Sequence, residues 1–140
     1  MERIVIDTNV FISSLRSANG ASYRLLRLME KGSYEFAVSV PLVTEYEDVA
    51  KKQITDLSLN KSDIETLIDN VCSLAIRQKI FFLWRPFLKD PKDDHVLEVA
   101  VASNSKYIIT FNTKYFGQVE RFGIEAITPQ EFLQRIGEIK

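Results

Sequence analysis

The 140-residue chain holds one cysteine, Cys72, and one histidine, His95. A single thiol excludes an internal disulfide and makes a reducing compartment the simpler assumption. A single histidine disfavours a zinc site, and no nucleophilic serine or cysteine with a histidine partner is visible. No apolar run approaches the ~20 residues that a membrane span needs. The opening MERIVIDTNV goes straight into a strand-like pattern that contains an acid, unlike a signal peptide. Internal repeats, low-complexity tracts and linkers are absent as well. The expectation from these absences is a cytoplasmic protein. A basic surplus is also missing: the net charge is −1, whereas strong nonspecific nucleic-acid binders gain most of their affinity by neutralising phosphate. An acidic metal pocket offset by a basic rim would give such a balance. Lys51, Lys52, Arg77, Lys79, Arg85, Lys89 and Lys92 form that rim or are simply solvated surface charges.

What is present is the composition of a globular domain. Hydrophobic residues make up 46% and charged residues 26%, and the length fits one domain, residues 1–140, able to bury roughly two-thirds of its unfolded surface. Arg3 to Ile6 reads as a short buried strand ended by Asp7, after which Val10, Phe11 and Leu15 recur at helical spacing. Residues 20–32 read as a second helix stopped by Gly32. Glu35 to Ser39 returns to strand character, and Pro41 suits the first turn of a helix carrying Glu45 and Tyr46. Asn60 or Ser62 caps a further helix through Ala75. Ile80 to Trp84 reads as an aromatic strand, and Arg85 to Asp94 as a charged loop with two prolines. A buried helix starts at Asp94; Tyr107 to Thr110 is a strand, Thr113 to Val119 a short helix and Ile124 to Ile127 the last strand. Thr128-Pro129-Gln130-Glu131 is the capped start of a C-terminal helix. Short, continuously apolar strands alternating with helices predict an α/β domain: a parallel sheet with helices on both faces.

In open parallel sheets, ligands bind beyond the carboxyl ends of the strands. Asp7-Thr8-Asn9 follows the first strand, and Glu45 lies one helical turn past the second. Asp90, Asp93 and Asp94 precede the buried helix, and Asn112 follows the Tyr107 strand. Each supplies an oxygen donor at the same end of the sheet. Gathered carboxylates repel one another unless a positive charge sits among them, and a hard cation, Mg²⁺ or Mn²⁺, is the natural partner. Such a cation acidifies water and offsets charge on a phosphoryl group, so the constellation suggests metal-assisted hydrolysis of a phosphodiester. Singly, each residue has a plainer use. Asp7 can cap the next helix, Glu45 can sit on a helix surface, the loop acids can be solvated and Asn112 can serve a turn. Phe81, Phe82 and Trp84 read as buried strand residues before they read as a base-stacking platform, and Cys72 as a small core residue. Tyr23, Leu26 and Met29 are candidates for a protein-binding surface.

With these residues in view, four stretches resemble the PIN-domain nucleases, and within them the VapC-like toxins of prokaryotic toxin–antitoxin pairs: IVIDTNVFISSL, VSVPLVTEYEDV, DPKDDHVLEVAVAS and YIITFNTKYF. They span nearly the whole chain in the expected order. The resemblance implies a three-layer α/β/α fold whose short-stranded parallel sheet is flanked by helices. It makes Asp7, Glu45 and Asp93 the metal-binding acids, with Asp90 and Asp94 as alternatives to Asp93 and with Thr8 and Asn9 as neighbours in the cluster. The fourth position, often aspartate, is Asn112 here, a departure that keeps an oxygen but loses a charge. Also implied are Mg²⁺ or Mn²⁺ as cofactor, an RNA substrate, a cognate antitoxin and a homodimer. The alternative reading is a degenerate PIN domain that binds RNA or a protein partner without cutting. A phosphatase of the haloacid-dehalogenase type would want a second aspartate where Asn9 stands, and a receiver domain would want its acceptor acid after the third strand.

Overall fold

The computed structural model describes residues 1–16, 19–53, 57, 59–80 and 94–140. In chain order its elements are β1 (Arg3–Ile6), α1 (Thr8–Arg16), α2 (Ala21–Lys31), β2 (Glu35–Val38), α3 (Val40–Lys52), α4 (Lys61–Leu74), β3 (Ile76–Arg77), α5 (Asp94–Ala102), β4 (Tyr107–Ile109), β5 (Glu125–Ile127) and α6 (Pro129–Arg135). Two 3₁₀ turns, Thr113–Phe116 and Val119–Phe122, join β4 to β5. All pairings are parallel and the strand order is β3-β2-β1-β4-β5. The chain therefore builds outward from β1 through β2 to β3, then returns to the other side of β1 for β4 and β5. With right-handed crossovers, that reversal puts helices on both faces, giving the three-layer architecture. It also creates a switch point between β1 and β4, where the crossovers diverge and leave a crevice.

The central strands are apolar on both faces because both are covered. Ile4, Val5, Ile108 and Ile109 are fully buried, and so are Val96, Leu97, Val99 and Ala100 of α5, the helix packed against β1, β2 and β4. On the opposite layer α1 packs against α2 and α3, and α3 against α4. Met29 of α2 is a core residue, which removes it from any exposed binding surface; Cys72 is half-buried at the core margin.

Helix ends follow local chemistry. Ser39 accepts the Leu42 N–H at the start of α3, where Pro41 occupies the first turn. Asn60 and Asp63 form a reciprocal capping box on α4, and Thr128 and Glu131 another on α6. Gly32 ends α2 at φ +71°, in the left-handed region that costs a side-chain-bearing residue but not glycine. Asn60→Ala is expected to lower stability by about 1 kcal/mol, read from chemical denaturation, because the Asp63 N–H loses its acceptor.

One strand departs from the sequence reading. The third strand is Ile76–Arg77, and the Gln78 N–H extends its pairing to the Val38 carbonyl at 2.8 Å. Ile80, the first residue of the expected aromatic strand, lies outside any strand, and Phe81, Phe82 and Trp84 fall outside the described residues. A two-residue strand butted against the end of a helix has no period to read, so the neighbouring aromatic run attracted the assignment.

Candidate active site

The crevice at the switch point is a cleft of about 510 Å³. Asp7 enters it from the end of β1, Thr8, Asn9, Ser13 and Arg16 from α1, Glu45 from α3, Gln53 from the C-cap of α3, and Phe111 and Asn112 from the segment after β4. Asp7 is 5% exposed and tightly held. Its N–H continues the sheet ladder to the Ile109 carbonyl at 2.9 Å, and its own carbonyl accepts the Val10 and Phe11 N–H groups that open α1. Its carboxylate accepts from the Thr8 N–H (2.8 Å) and from the Thr110 hydroxyl (2.7 Å). Asp7 thus stands at a helix start, but its side chain bonds the first helical N–H and a threonine across the sheet rather than the second or third N–H of an ordinary cap.

Glu45 is brought to Asp7 by three contacts between α3 and the first strand–helix unit. The Thr8 hydroxyl donates to one Glu45 oxygen. The hydroxyl of the next residue, Tyr46, donates to the carbonyl of Ile6, the residue before Asp7. The Tyr46 ring stacks on Phe11 of α1 with centroids 4.4 Å apart. The second Glu45 oxygen meets His95 Nε2 of α5 at 2.8 Å. Among the described residues His95 Nδ1 is buried without a hydrogen-bond partner, so Nε2 is the ring nitrogen that serves Glu45. His95 is the member of this cluster to which sequence reasoning gave no place. A lone histidine carries no pattern, and only its place one residue into the buried helix, opposite Glu45, gives it a role.

The two carboxyls are driven in opposite directions. Burial pushes Asp7 up from its ordinary value, and the bonds from Thr110 and Thr8 offset only part of this. The His95 bond holds Glu45 below its ordinary value, with the Thr8 hydroxyl assisting against partial burial. A buried carboxyl that resists ionisation beside an ionised one is a site that gains from a cation. The donor set fits a hard ion: carboxylate oxygens from Asp7 and Glu45, and the side-chain oxygen of Asn9, buried with no hydrogen-bond partner among the described residues. Among the described residues, no three His, Cys, Asp or Glu side chains are grouped to hold a metal.

Comparison with known proteins gives this arrangement a lineage. Residues 3–114 match the PIN domain family. The chain belongs to the PIN domain family. The solved structures similar to this PIN domain include VapBC2 from Rickettsia felis, crystallised bound to a DNA fragment from their promoter. There the TM-score is 0.61 at 18% identity, over 89% of this chain and 96% of that one. That likeness is one of fold. No curated protein matches the chain in sequence at a significant level.

Within this PIN domain the sequence candidates are distributed as follows. Asp7, Thr8, Asn9, Glu45 and Asn112 all line the cleft. Asn112 is exposed; its N–H donates to the Thr110 hydroxyl at 3.0 Å and its side chain makes no capping bond to the 3₁₀ turn it precedes. Asp94 begins α5 and is fully buried. Asp90 and Asp93 lie outside the described residues. No helix among the described residues is long and apolar enough to cross a membrane.

Proposed function

We propose that this PIN domain is a metal-dependent ribonuclease that hydrolyses RNA phosphodiester bonds, the toxin of a prokaryotic toxin–antitoxin pair. The observation that carries the reading is the Asp7–Thr8–Glu45 cluster at the sheet's switch point, where a buried, reluctant carboxyl faces an ionised one across a polar cleft. Asp7 and Glu45 would hold Mg²⁺ or Mn²⁺, with Asp93 completing the set and Asp94 or Asp90 as the alternatives. A divalent ion there supplies neutralisation of phosphoryl charge and acidification of water. Glu45, kept ionised and fixed in direction by His95 and Thr8, helps hold the ion or orients the attacking water. Asn112 offers an uncharged oxygen and an amide to water or phosphate at the mouth of the cleft. Thr110 holds the Asp7 carboxylate in its position throughout.

The family resemblance supports the partners: an RNA substrate, a cognate antitoxin that blocks the cleft, a second copy of the chain in a homodimer, and a cytoplasmic setting. A second reading, a PIN domain that binds RNA or a protein partner without cutting, draws on one observation. Asn112 stands where the family often has a fourth acid, so the cluster carries less charge than two ions would require. One ion remains within reach of the acids present.

The test is direct. The purified protein is incubated with mixed RNA in Mn²⁺, Mg²⁺ or EDTA, beside Asp7→Asn. Cleavage in the metal ions alone, reduced at least about a hundredfold by the substitution, is the expected result. Intact RNA under every condition, with no calorimetric Mn²⁺ binding, would transfer the assignment to the non-cutting domain.

A further inference from the structure

The shape of the cleft says how a strand would lie in it, and this inference rests on the ribonuclease reading above. Thr8, Ile12 and Arg16 recur every fourth residue along α1, and Glu45 and Val49 of α3 do the same, with Gln53 four residues on at its C-cap. Residues four apart share one helix face, so each set is a stripe, and the two helices pack side by side. The cleft is therefore a trough with the carboxyls at one end. At the other end the Arg16 guanidinium donates to the Gln53 side-chain oxygen. Arg16 is the one cation among the described residues that line the trough. From Thr8 to Arg16 the helix rises about 12 Å, room for more than a single nucleotide.

The remaining wall carries Phe111 and Asn112, which follow Thr110. Phe111, directly after Thr110, is 48% exposed and is the one aromatic side chain among the described lining residues. Exposing an aromatic ring beside a buried carboxylate leaves apolar surface in water that a planar ligand can cover. Two ends of opposite charge preference and one open ring match a single strand: a reacting phosphate at the acids, a second phosphate at Arg16, and a base on the ring. Paired bases are already stacked on both faces and offer nothing to Phe111.

We propose that the trough between α1 and α3 is a nucleotide track, in which Phe111 stacks on one unpaired base next to the scissile phosphate and Arg16, steadied by Gln53, grips a phosphate further along the same strand. Base–aromatic stacking tolerates any base, so the track selects for strandedness rather than sequence. Arg16 contributes one neutralised phosphate to the salt dependence of binding.

The experiment is fluorescence anisotropy of a labelled single-stranded oligouridylate in EDTA, where no metal-dependent cleavage occurs. Wild type is compared with Phe111→Ala, Phe111→Trp, Phe111→Leu and Arg16→Gln, and each is probed also with an abasic oligomer and with duplex RNA. Phe111→Ala should weaken single-strand binding about 5- to 150-fold, Phe111→Trp should retain it, and neither should alter abasic or duplex binding. Arg16→Gln should weaken the single strand and abasic oligomer alike and lower the slope of log K against log salt by about 0.7. Both positions are solvent-exposed, and unchanged melting temperatures verify that the variants fold. Phe111→Leu as tight as wild type, or equal losses on abasic and base-bearing RNA, would overturn stacking. Unaltered affinity and salt slope in Arg16→Gln would overturn the phosphate grip. Wild-type RNA binding and cleavage persisting through those failures would leave the ribonuclease reading intact. Absence of all RNA binding and cleavage by wild type would overturn both.

Discussion

Asp7→Asn is expected to stabilise the metal-free protein while removing its response to metal. Asp7 is 5% exposed, and burial raises its carboxyl above the ordinary range despite two hydrogen bonds. At neutral pH the metal-free fold therefore carries the cost of a desolvated anion. Asparagine has the same shape. Its oxygen accepts the Thr8 N–H, and its amide donates to the Thr110 hydroxyl, whose second lone pair still receives the Asn112 N–H. A gain of about 1 kcal/mol, a few degrees in Tm for a chain of this size, is expected in EDTA. The sign of the pH dependence follows from linkage. With the folded pKa above the unfolded one, the native wild type binds the extra proton, so its stability rises as pH falls from neutral through the folded pKa. The advantage of Asp7→Asn is thus largest at neutral pH and vanishes in acid. Saturating Mn²⁺ reverses the ranking, because binding to the native wild type adds stability that the variant cannot gain. Melting curves of both proteins with EDTA and with Mn²⁺, at neutral and acid pH, read all of this. A variant that melts lower in EDTA, or that still rises with Mn²⁺, would remove Asp7 from the metal site.

The same residues show what was legible in the sequence. Asp7 stood out because a run of four strand residues ends in an acid, and buried strands do not tolerate an acid without a use. The helix starts at Ser39, Asn60 and Thr128 were readable because a cap is a local exchange between a side chain and an N–H three residues on. Glu45 was readable as a candidate only by its offset from β2. Its pairing with Thr8 and His95 joins positions 37 and 50 residues apart, and no spacing rule reaches that far. The topology that converges them depends on strand order, which local propensity does not encode. β3 escaped for the opposite reason: two residues are too few to have a period, and its existence is dictated by the open edge of β2. The choice between Asp93 and Asp94 turns on one residue of register at the start of α5, and Asp90 lies three residues before Asp93. Helix patterning is least informative there, because every acid near a first turn satisfies it equally.

Positioning of the site therefore resides in neutral residues more than in the acids. Tyr46 ties α3 to the carbonyl preceding Asp7, Phe11 clamps the Tyr46 ring, and Thr8 bridges to Glu45. None of these carries charge, and each acts across elements that the sequence separates widely. An acid cluster without them would spread under its own repulsion before a cation arrived. The fold supplies the restraint that holds the two carboxyls in one cleft, and on the proposed reading this restraint readies the cleft for a cation.

Thr110→Val puts that dependence to its severest test. Thr110 is 0% exposed, and its single hydroxyl does two things: it donates to Asp7 at 2.7 Å and accepts the Asn112 N–H at 3.0 Å. Valine keeps the branched shape and fits the same strand end, so packing is conserved while both bonds are lost. The Asp7 carboxylate is left with one donor in a buried position, and the Asn112 N–H loses its acceptor. A loss of about 1–3 kcal/mol is expected in EDTA, opposite in sign to Asp7→Asn although the two changes touch the same bond. Loss of an outer hydrogen bond to a ligating carboxylate also lowers metal affinity or activity by about 10- to 100-fold, so Mn²⁺ binding by calorimetry should weaken to that extent. Thr110→Ser, which restores the hydroxyl without the methyl group, should recover the Mn²⁺ affinity while remaining slightly less stable than wild type. In the double variant Asp7→Asn/Thr110→Val the two stability effects should fail to add, since the amide introduced in place of the Asp7 carboxylate no longer finds its acceptor. Simple additivity in that cycle would mean that Thr110 supports the strand end and not the carboxylate, and the account of how Asp7 is held would have to be abandoned.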